Sequence, residues 1–163
     1  MKIELRRITF NARLSRETNA FAADIYIDGK KAGTAENDGG GGETMVRIMP
    51  KELMQQAVAY AQSPRPYTYP ATEHSPASTF PMDLELLIDT QLEQYLQGKH
   101  EMAQYKRWCK NRLLFRLKDD KAGSWRELAG AYTPELAAKL HAKHGDHLEE
   151  ILNERFLPVL PTK

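Results

Sequence analysis

Cysteine is nearly missing from this chain: Cys109 stands alone. One thiol excludes an intramolecular disulfide, and it excludes zinc fingers and ribbons, which need two or more cysteines. It fits a reducing compartment. Long apolar runs are missing as well. No stretch approaches the ~18 apolar residues of a membrane span. The opening Met1-Lys2-Ile3-Glu4-Leu5-Arg6-Arg7 has no apolar core for a secretory signal. A cytoplasmic protein with no membrane contact is the simplest reading. Net charge is also small, since 23 Lys and Arg face 22 Asp and Glu for a formal +1. The chain as a whole is therefore not a polycation that would seek nucleic acid by charge alone.

What is present is ordinary globular material. Hydrophobic residues make up 41% and charged residues 28%, close to average usage and against wholesale disorder. The 163 residues suit one domain, large enough to bury a core without staples.

Alternation dominates the front. Ile3 and Leu5 alternate with charged residues, and Ile8 and Phe10 resume in the other phase. The slip at Arg6-Arg7 predicts a bulge, because strand side chains repeat every two residues. Phe21, Ala23, Ile25 and Ile27 then share one face of a second strand, closed by Asp28-Gly29, a hairpin turn signal. A third strand is expected over about Lys31 to Glu36 and a fourth over Thr44 to Met49. After Pro50, placed at a first helical position, Leu53, Met54, Ala57, Val58 and Ala61 recur at helical spacing up to about Gln62.

Five of the nine prolines follow between Ser63 and Pro81. They remove backbone donors and restrict their neighbours, so residues 63–81 read as an extended internal loop. Beyond it, Leu84, Leu87, Ile88, Leu92, Tyr95 and Leu96 make an apolar helical stripe. Met102, Tyr105, Trp108 and Cys109 continue it past Gly98, as one long helix or a pair. Leu113 to Lys118 and Trp125 to Ala129 read as a hairpin. Thr133-Pro134-Glu135 is a helix start, and Gly145 a stop. Asp146 is expected to cap a last short helix bearing Leu148, Ile151, Leu152 and Phe156.

The expected fold class is α+β: an antiparallel sheet from residues 2–49 plus a hairpin near 113–129, packed with about four helices. Residues 1–163 form a single domain, both halves sharing one core, with a short tail at 158–163. The segments Phe115-Arg116-Leu117-Lys118-Asp119-Asp120, Tyr132-Thr133-Pro134-Glu135 and Leu152-Asn153-Glu154 resemble those of small uncharacterised bacterial proteins found on phages and mobile elements. That resemblance, over about residues 115–156, implies a possible origin and no activity.

Four constellations bear on chemistry. The tract Gly39-Gly40-Gly41-Gly42 could turn backbone N–H groups toward a phosphate. It lacks the following helix and Lys-Ser/Thr pair of a phosphate loop, and Asp38 and Glu43 flank it, so a flexible strand connection is expected. His141 and His144 share a helical face and His147 follows Asp146, a candidate N/O metal set for a metal-dependent enzyme. The same cations also suit a helix C-terminus. Cys109, beside Trp108 on an apolar stripe, reads as buried and inert. Glu149 and Glu150 are neighbours on an expected helix and point apart, so no acid/base pair is indicated.

Charge supplies the fourth. From Lys99 to Arg126 there are nine Lys and Arg against three acids, with Tyr105 and Trp108 between them. Lys106, Arg107, Lys110, Arg116 and Lys118 are candidate nucleic-acid contacts, because basic stretches with aromatics neutralise phosphates and stack bases. Lys106, Arg107 and Lys110 cannot all share one helix face, and the upstream acids Asp83, Glu85, Asp89 and Glu93 could absorb the same charges. No catalytic set and no cofactor site assembles. The leading reading is a small cytoplasmic binding or regulatory protein acting through an unknown protein partner, with Tyr67 and Tyr69 in the proline-rich loop as contacts. Nucleic-acid binding through residues 99–126 comes second and a His141/His144/His147 metalloenzyme third.

Overall fold

The computed structural model describes residues 1–63, 67–69 and 76–157. Strict alternation does build the front. Strands β1 (Ile3–Phe10), β2 (Phe21–Ile27), β3 (Lys30–Asn37) and β4 (Met45–Ile48) form an antiparallel sheet in the order β1-β2-β3-β4. Phe21, Ala23, Ile25 and Ile27 are all buried, as one dry face requires. The bulge in β1 is real. Its pairing with β2 runs from Ile3↔Ile27 to Arg6↔Asp24, breaks, and resumes at Thr9↔Ala22. Arg7 takes a φ of 52° inside the break. Asp28 and Gly29 turn with φ of 47° and 82°, the two positive angles of a tight two-residue hairpin.

Helix α1 (Lys51–Gln62) ends where expected, with Pro50 one position earlier than the sequence suggested, at the N-cap. Helix α2 (Leu84–Trp108) is one unbroken helix through Gly98. Ala57 and Ala61 of α1, with Leu84, Ile88 and Leu92 of α2, close the dry face of the sheet. Gln91 of α2 also clips the free edge of β1. Its Nε2 donates to the Ile3 carbonyl at 3.0 Å, and its Oε1 accepts from the Leu5 N–H at 3.2 Å. A side-chain amide thus occupies an edge that would otherwise invite another strand.

The chain divides into two compact units, Met1–Leu96 and Gln97–Lys163. The division falls within α2 and not at the proline-rich stretch. Among the described residues of that stretch, β5 (Tyr67–Tyr69) and β6 (Ser78–Phe80) pair antiparallel, with the Thr68 and Thr79 hydroxyls 3.1 Å apart.

In the second unit β7 (Arg112–Leu117) lies between β8 (Arg126–Ala129) and β9 (Leu148–Ile151). Helix α3 (Pro134–His144) starts as read, the Thr133 hydroxyl accepting the Leu136 N–H at 3.2 Å. Its Ala137 and Leu140 pack on Leu113, Phe115 and Ile151.

Two expectations are corrected here. The 113–129 hairpin does not extend the front sheet but belongs to a second, three-stranded sheet. Among the described residues there are three α-helices, not about four. The segment expected as the last helix becomes a 3-10 turn (Gly145–His147), strand β9 and a second 3-10 turn (Leu152–Phe156). The cause is long-range. β7 has a free edge, and pairing Ile151 with Phe115 and Leu148 with Leu117 fills it. Buried Asn153 then holds the chain down: its Oδ1 accepts from Leu114 N–H at 2.8 Å, and its Nδ2 donates to the carbonyls of Cys109 at 3.1 Å and Arg112 at 2.9 Å. Tertiary partners override a weak local preference. The tail 158–163 lies outside the described residues. Among those described, no helix is long and apolar enough to cross a membrane.

Candidate functional site

The basic segment is split in two by its partners. Four of the five arginines of the second unit are engaged. Arg126 donates from both Nε and Nη2 to Asp120, whose carboxyl it holds down at about 2, below the usual carboxylate range. Arg112 pairs with Glu127 across β7 and β8. Arg116 Nη2 donates to Glu149 at 3.0 Å, and its guanidinium lies 5.1 Å from the Trp125 ring centre. Arg155 pairs with Glu150. These carboxylates all come from the second unit, so the acids upstream of residue 97 are not needed to satisfy them.

Lys106, Arg107, Lys110 and Lys118 differ. All four are exposed, and none has a carboxylate within ion-pair distance among the described residues. They do not converge as one set. Lys106 and Lys110, four residues apart, line the same shallow groove, which Arg107 and Lys118 do not. Beside them Tyr105 packs edge-on against Trp108 and Trp125, with ring centres 5.8 Å and 6.0 Å apart. Trp108 stays 41% exposed.

The groove measures about 200 Å³ and is lined by Lys106, Cys109, Lys110, Tyr132, Asn153 and the pair Phe156 and Leu157. Sequence reading missed it. Its floor comes from the end of α2, the approach to α3 and the last 3-10 turn, so no local period announces it. Cys109 is half-buried and lines this groove, where burial pushes its thiol pKa up. Burial raises the Tyr132 phenol as well, helped by its hydrogen bond to Glu154 at 3.2 Å.

The histidines are not brought together. Among the described residues no group of three or more His, Cys, Asp or Glu converges as metal ligands. His144 packs on the Phe115 ring with centres 5.7 Å apart. His147 Nδ1 lies 3.7 Å from Asp119 Oδ2, and exposed His141 accepts the Gly145 N–H at its backbone carbonyl. Tyr67 and Tyr69 fall on β5, and their side chains lie outside what is described.

The glycine tract is a pinned connection rather than a flexible one. Gly39, at φ 86°, accepts N–H bonds from Arg16 at 3.0 Å and Glu17 at 3.1 Å, and donates its own N–H to Asn37 Oδ1 at 2.8 Å. A Cβ there would meet the Leu14 carbonyl oxygen at 2.3 Å, so glycine is required. The N–H groups of Gly39, Gly40 and Gly41 thus serve the fold, donating to Asn37, Asp38 and Thr18. The same network continues inward. Thr18 donates to Asn37, Asn37 Nδ2 donates to the buried Thr44 hydroxyl, and Thr44 donates to Asp89 at 2.7 Å. A polar cavity of about 350 Å³ lies over this chain, with Glu17, Asp89 and Glu93 on its wall.

No protein family, curated protein or solved structure matches this chain.

Proposed function

We propose that the chain is a small binding protein that acts through a protein partner, and that the second unit carries the contact. The observation behind this is the groove bordered by Lys106 and Lys110. In a unit whose Arg112, Arg116, Arg126 and Arg155 are all engaged by carboxylates, these two cations have no such partner among the described residues. They stand over apolar side chains, and an apolar centre with a charged rim is the anatomy of protein interfaces. The test is affinity capture from the native host, with nucleic acid retained and the bound material identified by mass spectrometry. A protein held by the wild type and lost in Lys106→Glu/Lys110→Glu supports the reading. Equal capture by the variant overturns the assignment to this face.

A second reading, nucleic-acid contact, draws on a different observation: exposed Trp108 follows exposed Arg107 in the chain, an aromatic stacking surface next to a cation that has no carboxylate partner among the described residues. Arg116, committed to Glu149 and Trp125, drops from its contact set. An electrophoretic shift at low salt decides it. Retention of a single-stranded probe that weakens steeply with salt and is lost in Trp108→Ala/Arg107→Glu would place this reading first.

A further inference from the structure

We infer that the groove beside Lys106 and Lys110 receives an acidic peptide segment bearing one bulky apolar side chain. The inference rests on the partner reading above and names the partner's chemistry. Size comes first. About 200 Å³ falls short of the roughly 300–1,000 Å³ usual for small-molecule sites, and it suits one large side chain.

The floor comes second. Asn153 is the floor's uncharged amide, and its carbonyl and both N–H groups are already taken by Leu114, Cys109 and Arg112. It has little left to offer a ligand. What remains is the body of Tyr132, the Cys109 side chain, Phe156, and Leu157, which is 43% exposed. An aliphatic or aromatic anchor gains from such a surface and a polar one does not. The Tyr132 hydroxyl is likewise occupied by Glu154.

Charge comes third. Two lysines on one rim, four residues apart, favour carboxylates flanking the anchor. Glu154 pairs with neither of them. The second unit carries 13 Lys and Arg against nine Asp and Glu, so an acidic segment is also favoured at longer range.

Cys109 lines the groove and is the chain's one thiol, so its alkylation rate reports occupancy directly. The probe is a fluorescein-labelled decapeptide with a central Leu-Phe pair flanked by glutamates, used with the full chain. Controls replace the glutamates with lysines, or Leu-Phe with Ser-Ser. The expected result is saturable anisotropy with the acidic apolar peptide, slower iodoacetamide modification of Cys109 in its presence, and neither effect with the controls. Lys106→Glu/Lys110→Glu should weaken binding about tenfold or more, and Lys106→Ala/Lys110→Ala should weaken it less.

Binding that survives the charge reversal, or that leaves Cys109 as reactive as before, overturns the inference. So does equal protection by a single-stranded oligonucleotide, which would give the groove to nucleic acid. Protection that grows with protein concentration alone would give it to a second copy, and likewise overturns the inference. Failure here is distinct from failure of the broader reading. A host protein captured by wild type and lost in the reversed variant, with no peptide binding, removes the peptide chemistry and leaves the partner.

Discussion

The two units are stabilised differently and carry opposite charge. Residues 1–96 contain ten Lys and Arg against 13 Asp and Glu, while residues 97–163 contain 13 against nine. The overall +1 therefore conceals a net −3 and a net +4. Among the described residues, the packed core cluster of the first unit holds 12 buried residues from four strands and two helices, and that of the second holds five. A small apolar core leaves less burial to set against chain entropy. The second unit supplements it with a polar hub at Asn153 and a row of arginine–carboxylate pairs. Each of those pairs keeps at least one partner well exposed to solvent, and such pairs contribute only about 0–1 kcal/mol each. The buried hub matters more than the visible ion pairs. The comparison also shows why composition misled: total charge said little about partners because it averaged two unlike bodies.

The largest effect should come from the first core. Ile25 is fully buried. Ile25→Ala should cost about 4 kcal/mol, within the range for large-to-small core changes. Both tryptophans, Trp108 and Trp125, lie in the second unit, so urea unfolding followed by far-UV circular dichroism and by tryptophan fluorescence separates the units. The dichroism transition should move further than the fluorescence transition. A cost under about 1 kcal/mol would sink the claim that burial dominates the first unit.

The next effect sharpens the contrast from the other side. Asn153→Ala strands the Leu114 N–H and two carbonyls in a buried place. Each orphaned group costs on the order of 1–3 kcal/mol, and with partial relaxation a total of about 3 kcal/mol is expected. Here the fluorescence transition should move more. If Asn153→Ala is as mild as a surface change, the second unit is not organised around that residue.

How much of this was legible depends on how far apart the deciding partners lie. The face of β2 was readable because its alternation is local, as were the Asp28-Gly29 turn and the Thr133 cap. The clip from Gln91 onto β1 joins residues 86 and 88 positions apart, and no window of sequence shows it. Strand β9 was mistaken for a helix because Leu148, Ile151, Leu152 and Phe156 satisfy a helical period. The free edge of β7, more than 30 residues away, decided otherwise. The site divides in the same way. Lys106 and Lys110 stood out as part of a basic run, yet their groove did not, since Tyr132, Asn153 and Phe156 reach Cys109 only through the fold. Cys109 itself, read as buried and inert, is half-buried and lines that groove.

The smallest effect tests the polar interior of the acidic unit through pH. Asp89 is half-buried, and burial pushes its carboxyl pKa above the ordinary value, outweighing the Thr44 hydrogen bond that pulls it down. A carboxyl whose pKa is raised on folding holds its proton more tightly in the native state. Its contribution is therefore most favourable below the unfolded value and is lost as pH rises through the folded one. At neutral pH the native state bears the cost of a charge partly withdrawn from water. Asn in its place keeps an oxygen that can accept from Thr44 and carries no charge. Asp89→Asn should thus raise the midpoint of the dichroism transition slightly at pH 7. The gain should shrink as pH falls into the carboxylate range, where the wild type becomes neutral too. Thermal melts of both proteins across that range measure it. A variant less stable than wild type at pH 7 would mean that the charge-assisted bond from Thr44 outweighs desolvation, and that the first unit, like the second, leans on a buried polar contact.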